Sequence, residues 1–272
     1  MKKLFILLLL ALGLRASAQN ELARPLPFLD KITDFCGFTC YEGRFEGRAA
    51  KIVVPNGEPA PGKPWVWRAR FWGHEPQADS VLLTRGFHVV YCDVAEMFAN
   101  EKCLGIWDRF YKALRSAGFA QKAAMFGFSR GGFYVYRWAA RYPERVACIY
   151  ADAPVLNIRS WPLGEGAGPG DAKTWQTFLN DFGYTSEKAA KRFRGNPVDL
   201  VAEIVRGKYP MLHVCGEADV VVPMAENTDI FEQKVKAIGG NIRVIRKPGV
   251  GHHPHSLKDP AEIVTFVMSA CQ

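Results

Sequence analysis

The run Gly127-Phe128-Ser129-Arg130-Gly131-Gly132 sets a serine between glycines at the spacing G-x-S-x-G. The chemistry that this spacing serves is nucleophilic attack by a hydroxyl. Ala123 to Phe126 form an apolar strand pattern before it, and Phe133, Val135, Tyr136, Trp138 and Ala139 recur at helical spacing after it. A sharp strand-to-helix turn lifts such a serine above the sheet, and Gly127 and Gly131 are expected to leave room for the crossing backbone. The amides that open the following helix carry partial positive charge, which suits a developing oxyanion. A plain Gly/Ser turn between strand and helix has the same letters, so the rest of the chain must decide.

A serine nucleophile needs a base to take its proton and an acid to orient that base. Asp219 lies in GEADVVVP, directly after the apolar run Met211 to Cys215, and His252 lies in GVGHHPH, directly after Ile242 to Ile245. Both leave the carboxyl edge from which Ser129 projects, the edge where open parallel sheets bind ligands. Asp152, at the end of the strand Ala147 to Tyr150, is a rival acid. His253 and His255 flank His252, but no acidic or cysteine ligand set accompanies them, so no metal is assigned and no cofactor is required. Their expected part is to shape the pocket or hold the loop.

The elements that must position these residues alternate. Strands are expected at Tyr41 to Phe45, Ala50 to Val54, Trp65 to Phe71, Phe87 to Cys92, Ala123 to Phe126, Ala147 to Tyr150, Met211 to Cys215 and Ile242 to Ile245. Helices are expected at about Ala78 to Thr84, Trp107 to Ser116, Met224 to Ile238 and Pro260 to Cys271. This order predicts an α/β protein with a mainly parallel central sheet, helices on both faces and an antiparallel pair at its beginning. Between about 156 and 205 the alternation stops around GEGAGPG, which predicts a cap insertion after the sixth strand of one domain covering 19–272.

Lys2, Lys3, the apolar run Leu4 to Leu14 and Ala16-Ser17-Ala18 have the order of a signal peptide, residues 1–18. The apolar run is too short to span a bilayer. An exported protein, periplasmic or extracellular and without stable membrane insertion, is expected. The formal charge is +8, of which Lys2, Lys3 and Arg15 belong to the leader, leaving 8 − 3 = +5. No basic run stands out, which argues against nucleic acid and leaves acidic polysaccharide compatible. The seven cysteines are odd in number, so at least one stays free or pairs with another chain. Cys36 and Cys40 are near enough in sequence for a local disulfide, whereas Cys92, Cys148 and Cys215 read as buried small hydrophobes.

The elbow, the chain order serine–aspartate–histidine and the GEADVVVP and GVGHHPH segments together resemble the α/β-hydrolase superfamily over essentially the whole mature chain. The resemblance implies the α/β-hydrolase fold, with Ser129 as nucleophile, His252 as base and Asp219 as its acid. Asp219 is preferred to Asp152 because its turn starts with glycine and ends with proline, as in the superfamily. It also implies an oxyanion hole from the backbone N–H of Arg130 and one from the loop of Phe71, Trp72 and Gly73, with Trp72 chosen by position. The WVWRARFWGHEP and GFSRGG segments are similar to those of exported bacterial esterases, some associated with polysaccharide breakdown. His74, Trp107, Arg159, Trp161, Trp175 and His253 are candidates to line the cleft with Trp72 and Arg130, because aromatic faces stack on sugar rings and arginines fork onto carboxylates. The expected activity is hydrolysis of an acetyl or methyl ester of a small or polymeric saccharide. The rivals are a prolyl-oligopeptidase-like serine peptidase, against which the lack of a propeller-like segment in this sequence counts, and a non-catalytic saccharide-binding protein.

Overall fold

The computed structural model describes residues 25–271, so the signal-peptide reading of 1–18 lies outside the described residues. Among the described residues, nine strands form one sheet: β1 (Leu29–Phe35), β2 (Phe38–Phe45), β3 (Arg48–Val53), β4 (Trp65–Arg68), β5 (His88–Cys92), β6 (Ala123–Phe128), β7 (Val146–Asp152), β8 (Met211–Gly216) and β9 (Ile242–Lys247). Their order is β1-β2-β3-β5-β4-β6-β7-β8-β9. The pairings β1–β2, β2–β3 and β3–β5 are antiparallel and the remaining ones are parallel. The helices are α1 (Gln77–Thr84), α2 (Glu101–Ser116), α3 (Arg130–Arg141), α4 (Ala172–Phe182), α5 (Glu187–Ala190), α6 (Val201–Val205), α7 (Thr228–Ala237) and α8 (Ala261–Ala270).

Every residue of β4, β6, β7 and β8 is buried, as central parallel strands covered on both faces require. Side chains alternate between the faces. Trp65, Trp67, Met125 and Ile149 pack with α2, α3, α6 and α7 on one side, and Val66, Ala124, Phe126 and Tyr150 pack with α1 and α8 on the other. On the first face Trp67 stands 5.3 Å from Trp65, 4.8 Å from Trp107 and 5.1 Å from Trp138, ring centre to ring centre.

Four expectations change. Strand β1 has a mostly exposed edge pattern without clean alternation, which hid it from a periodicity reading and moves the irregular segment after the sixth strand to a place after the seventh. Strand β4 stops at Arg68 instead of reaching Phe71, whose φ of 52° leaves the extended region. Arg68 itself is buried in an internal ion pair, its Nε donating to Asp79 Oδ1 on α1 at 3.0 Å. Helix α2 starts at Glu101, where the Asn100 side chain accepts from the Cys103 N–H. Cys36 and Cys40 are both unpaired, one exposed in a turn and the other buried in β2.

The turn from β6 to α3 shows which glycines are required. A Cβ on Gly127 would lie 2.8 Å from both the Gly131 carbonyl oxygen and Val135, and one on Gly132 would lie 2.3 Å from Cβ of Pro154. A Cβ on Gly131 would meet only Arg70 and Ala69, at 3.7 to 3.8 Å. The tight positions are therefore 127 and 132 rather than the motif pair 127 and 131. We expect Gly131→Ala to leave stability within about 1 kcal/mol, and Gly127→Ala and Gly132→Ala each to cost about 1–3 kcal/mol through forced displacement of packed neighbours, measured by urea unfolding. Equal costs at 131 and 132 would contradict this account.

Candidate active site

Ser129 sits between β6 and α3 with φ 47° and ψ −120°. Its N–H donates to the Asp152 carbonyl at 2.8 Å, and its own carbonyl accepts from Gly132 and Val155, both at 3.0 Å. The side chain is thereby aimed past the carboxyl edge of the sheet. Ser129 Oγ lies 3.0 Å from His252 Nε2, and His252 Nδ1 lies 2.7 Å from Asp219 Oδ2. An ionised carboxylate only accepts, so Nδ1 carries the imidazole proton and Nε2 accepts from the serine hydroxyl. The other oxygen of Asp219 accepts the N–H groups of Val221 and Val222 at 2.8 and 2.9 Å, which fixes the carboxylate in its turn. Chemically, this arrangement can draw the Ser129 proton to Nε2 while Asp219 stabilises the resulting imidazolium.

Asp152 is engaged elsewhere. It accepts from His255 Nδ1, Tyr150 Oη and the Ser256 N–H, each at 2.8 Å, and makes no hydrogen bond with His252. The rival acid orients a different histidine.

Arg130 opens α3, and among the described residues none accepts a hydrogen bond from its backbone N–H. Across the elbow, a Cβ on Gly131 would lie 3.7 and 3.8 Å from the Cβ atoms of Arg70 and Ala69 and 3.8 Å from the backbone nitrogen of Arg70, so this part of the loop runs beside it. Trp72 lies two residues farther on. Its indole packs on Phe35 of β1 at 4.8 Å and on Tyr91 of β5 at 5.5 Å.

The Arg130 guanidinium lies 5.3 Å over the Trp161 ring and 3.2 Å from Glu96, which also accepts from Arg70 at 3.0 Å. Two guanidiniums thus share one carboxylate beside the nucleophile. Burial and the neighbouring Arg70 both push Arg130 below the usual arginine range. Glu96 is held there by a tight loop in which Glu96, Phe98 and Ala99 all have positive φ, and Tyr134 Oη accepts from the N–H groups of Met97 and Phe98. Sequence reasoning missed Arg70 and Glu96. The second arginine of WRAR was a signal for the former, and nothing local marked the latter.

The other expected cleft residues separate. Trp107 is buried in the tryptophan cluster with its Nε1 donating to the Cys92 carbonyl, because α2 turns its apolar stripe onto the sheet. Trp175 is likewise packed, stacked on Phe178 at 5.2 Å. Arg159 is an exposed partner of Glu165. His253 stands edge-on to His252 at 5.0 Å, and His74 stands 5.9 Å from His253. Burial, and then the charge of the nearby His255, pushes both His74 and His253 below the usual histidine range.

With Asp219 the only carboxylate on His252 among the described residues, Asp219→Asn is expected to lower turnover of an activated ester by about ten-thousandfold with the fold intact. Steady-state kinetics of Asp219→Asn and Asp152→Asn check this, and a larger loss for Asp152→Asn in a folded protein would reverse the assignment.

The fold has counterparts among solved structures. The chain matches the solved structure of Porphyromonas gingivalis dipeptidyl peptidase 4 at 15% identity and a TM-score of 0.62, over 82% of this chain and 33% of that one, so it spans about a third of that protein's length. It matches an S-formylglutathione hydrolase from Agrobacterium tumefaciens at 17% identity and a TM-score of 0.60, over 89% of this chain and 96% of that one. Est1E from Butyrivibrio proteoclasticus matches at 17% identity and a TM-score of 0.60, over 89% and 98%. These likenesses fit the α/β-hydrolase fold. No curated protein matches the chain in sequence. The family model of the prolyl oligopeptidases matches residues 109–269, more than half of the 272 and including Ser129, Asp219 and His252. The chain therefore belongs to the prolyl oligopeptidase family of serine hydrolases, within the α/β-hydrolase superfamily.

Proposed function

We propose that the protein hydrolyses a carboxylic ester of a saccharide through an acyl-enzyme on Ser129. The observation that carries the reading is the continuous hydrogen-bonded line from Ser129 through His252 to Asp219. Ser129 Oγ attacks the ester carbonyl as its proton passes to His252 Nε2. The oxyanion is received by the Arg130 N–H and by a donor from the loop after β4, where Trp72 stands by position and Arg70 stands nearer the elbow. Collapse breaks the bond to the alkoxy oxygen, which takes the proton from His252, and a water activated by the same nitrogen then releases the acid.

Two observations support a saccharide. Arg70 and Arg130 share the single carboxylate of Glu96, which leaves cationic character beside the nucleophile for an acidic sugar, and Trp161 presents an aromatic face under Arg130. The leader read in residues 1–18 accords with an extracellular or periplasmic polymer. Cleavage of a peptide bond is the second reading, favoured by the family match and by the likeness to a dipeptidyl peptidase.

Hydrolysis of 4-nitrophenyl acetate, an acetylated polysaccharide, a methyl-esterified polyuronate and a dipeptidyl 4-nitroanilide separates these readings. We expect turnover of the simple ester and of one saccharide ester, with Ser129→Ala and His252→Ala each lowering kcat by about a millionfold. Faster turnover of the anilide would establish the peptidase reading instead. Undiminished rates in Ser129→Ala would remove the nucleophile.

A further inference from the structure

Beside the serine site lies a second cluster that the proposed hydrolysis does not use. His74, from the loop between β4 and α1, meets His253 and His255, from the loop after β9, and one ring nitrogen from each lies within 4.8 Å of the others. The ring centres are 4.6 to 5.9 Å apart and the planes cross at 69 to 87°, so the imidazoles stand steeply inclined to one another instead of stacking. His74 Nε2 is buried and has no hydrogen-bond partner.

His255 is pre-oriented. Its Nδ1 faces Asp152 Oδ1 at 2.8 Å, while Asp152 Oδ2 is held by Tyr150 Oη and the Ser256 N–H. The carboxylate accepts, so Nδ1 keeps the proton and Nε2 offers its lone pair. A carboxylate behind a ligating histidine is how metal sites fix tautomer and ring orientation.

We propose that His74, His253 and His255 bind a divalent transition-metal ion of the zinc class, with Asp152 as the positioning residue behind His255. An ion about 2.0–2.1 Å from each nitrogen in tetrahedral geometry spaces its ligand atoms about 3.4 Å apart. The present separations are at most 4.8 Å, and a change of rotamer at His253, which is exposed, would bring them to this spacing. Three protein ligands leave a position for water or an oxygen ligand. The bound ion would tie the loop after β4 to the loop that carries His252. His74 is more than 170 residues from the other two, which is why spacing around His252 gave no sign of the third ligand.

The test is titration of chelator-treated full-length protein with Co²⁺, followed by visible d–d absorption, and with Zn²⁺, followed by thermal unfolding. We expect one equivalent of Co²⁺ with a four-coordinate spectrum, a rise in Tm with Zn²⁺, and retention of both in His252→Ala. His74→Ala and the exposed-site variant His253→Ala should each weaken binding at least tenfold, and Asp152→Asn by about 10–100-fold. The proposal is overturned by no saturable Co²⁺ binding at millimolar concentration, by binding that survives both His74→Ala and His253→Ala, or by binding lost in His252→Ala alone. None of these readouts depends on hydrolysis, so they stand apart from the fate of the ester reading.

Discussion

Ser129 adopts φ 47°, where a residue with a Cβ is strained by about 1–3 kcal/mol, and the surrounding chain is arranged to hold it there. Gly127 lets α3 cross close to β6, and Gly132 lets the first turn of that helix sit against Pro154. The Ser129 N–H is fixed by the Asp152 carbonyl, and its carbonyl by Gly132 and Val155. Strain of this kind persists only where neighbours over-determine the conformation, and here every backbone group of the serine is committed. The hydroxyl is left as its one free functional group, and it faces His252.

The same few residues tie the elbow to the loops around it. Asp152 serves the serine with its carbonyl and the histidine loop with both carboxylate oxygens. Arg68 pairs with Asp79 in the interior, donates to the carbonyls of His74 and Glu75, and lies 4.3 Å over the Phe128 ring next to the nucleophile. An ion pair so buried is costly to break from one side, by about 3–5 kcal/mol, because the remaining charge is stranded. Its place suggests a use beyond stability: it fixes where the loop after β4 leaves the sheet, and so where any oxyanion donor from that loop stands.

Much of this was legible in the chain. Ser129, Asp219 and His252 each follow an apolar strand, so period and order alone put them at one edge, and the hydrogen bonds now connect them. Central strands such as β6 and β7 read as unbroken apolar runs because both faces are covered. What stayed hidden depends on partners far away in sequence. The burial of Arg68 has no local sign because its partner Asp79 lies on another element. Trp107 looked like a cleft aromatic because its place on the inner face of α2 is set by Trp67 and Trp138. Glu96 reaches Arg70 and Arg130 only through a loop with left-handed residues, and β1 carries the polar pattern of a sheet edge.

The central claim is that Ser129 is activated by His252, and a fluorophosphonate that reacts only with activated serines tests it directly. Incubation of the folded protein followed by peptide mass spectrometry is predicted to place one adduct on Ser129, formed rapidly in the parent chain and lost in His252→Ala. An unlabelled Ser129 in folded protein, or labelling that proceeds equally without His252, would contradict the account.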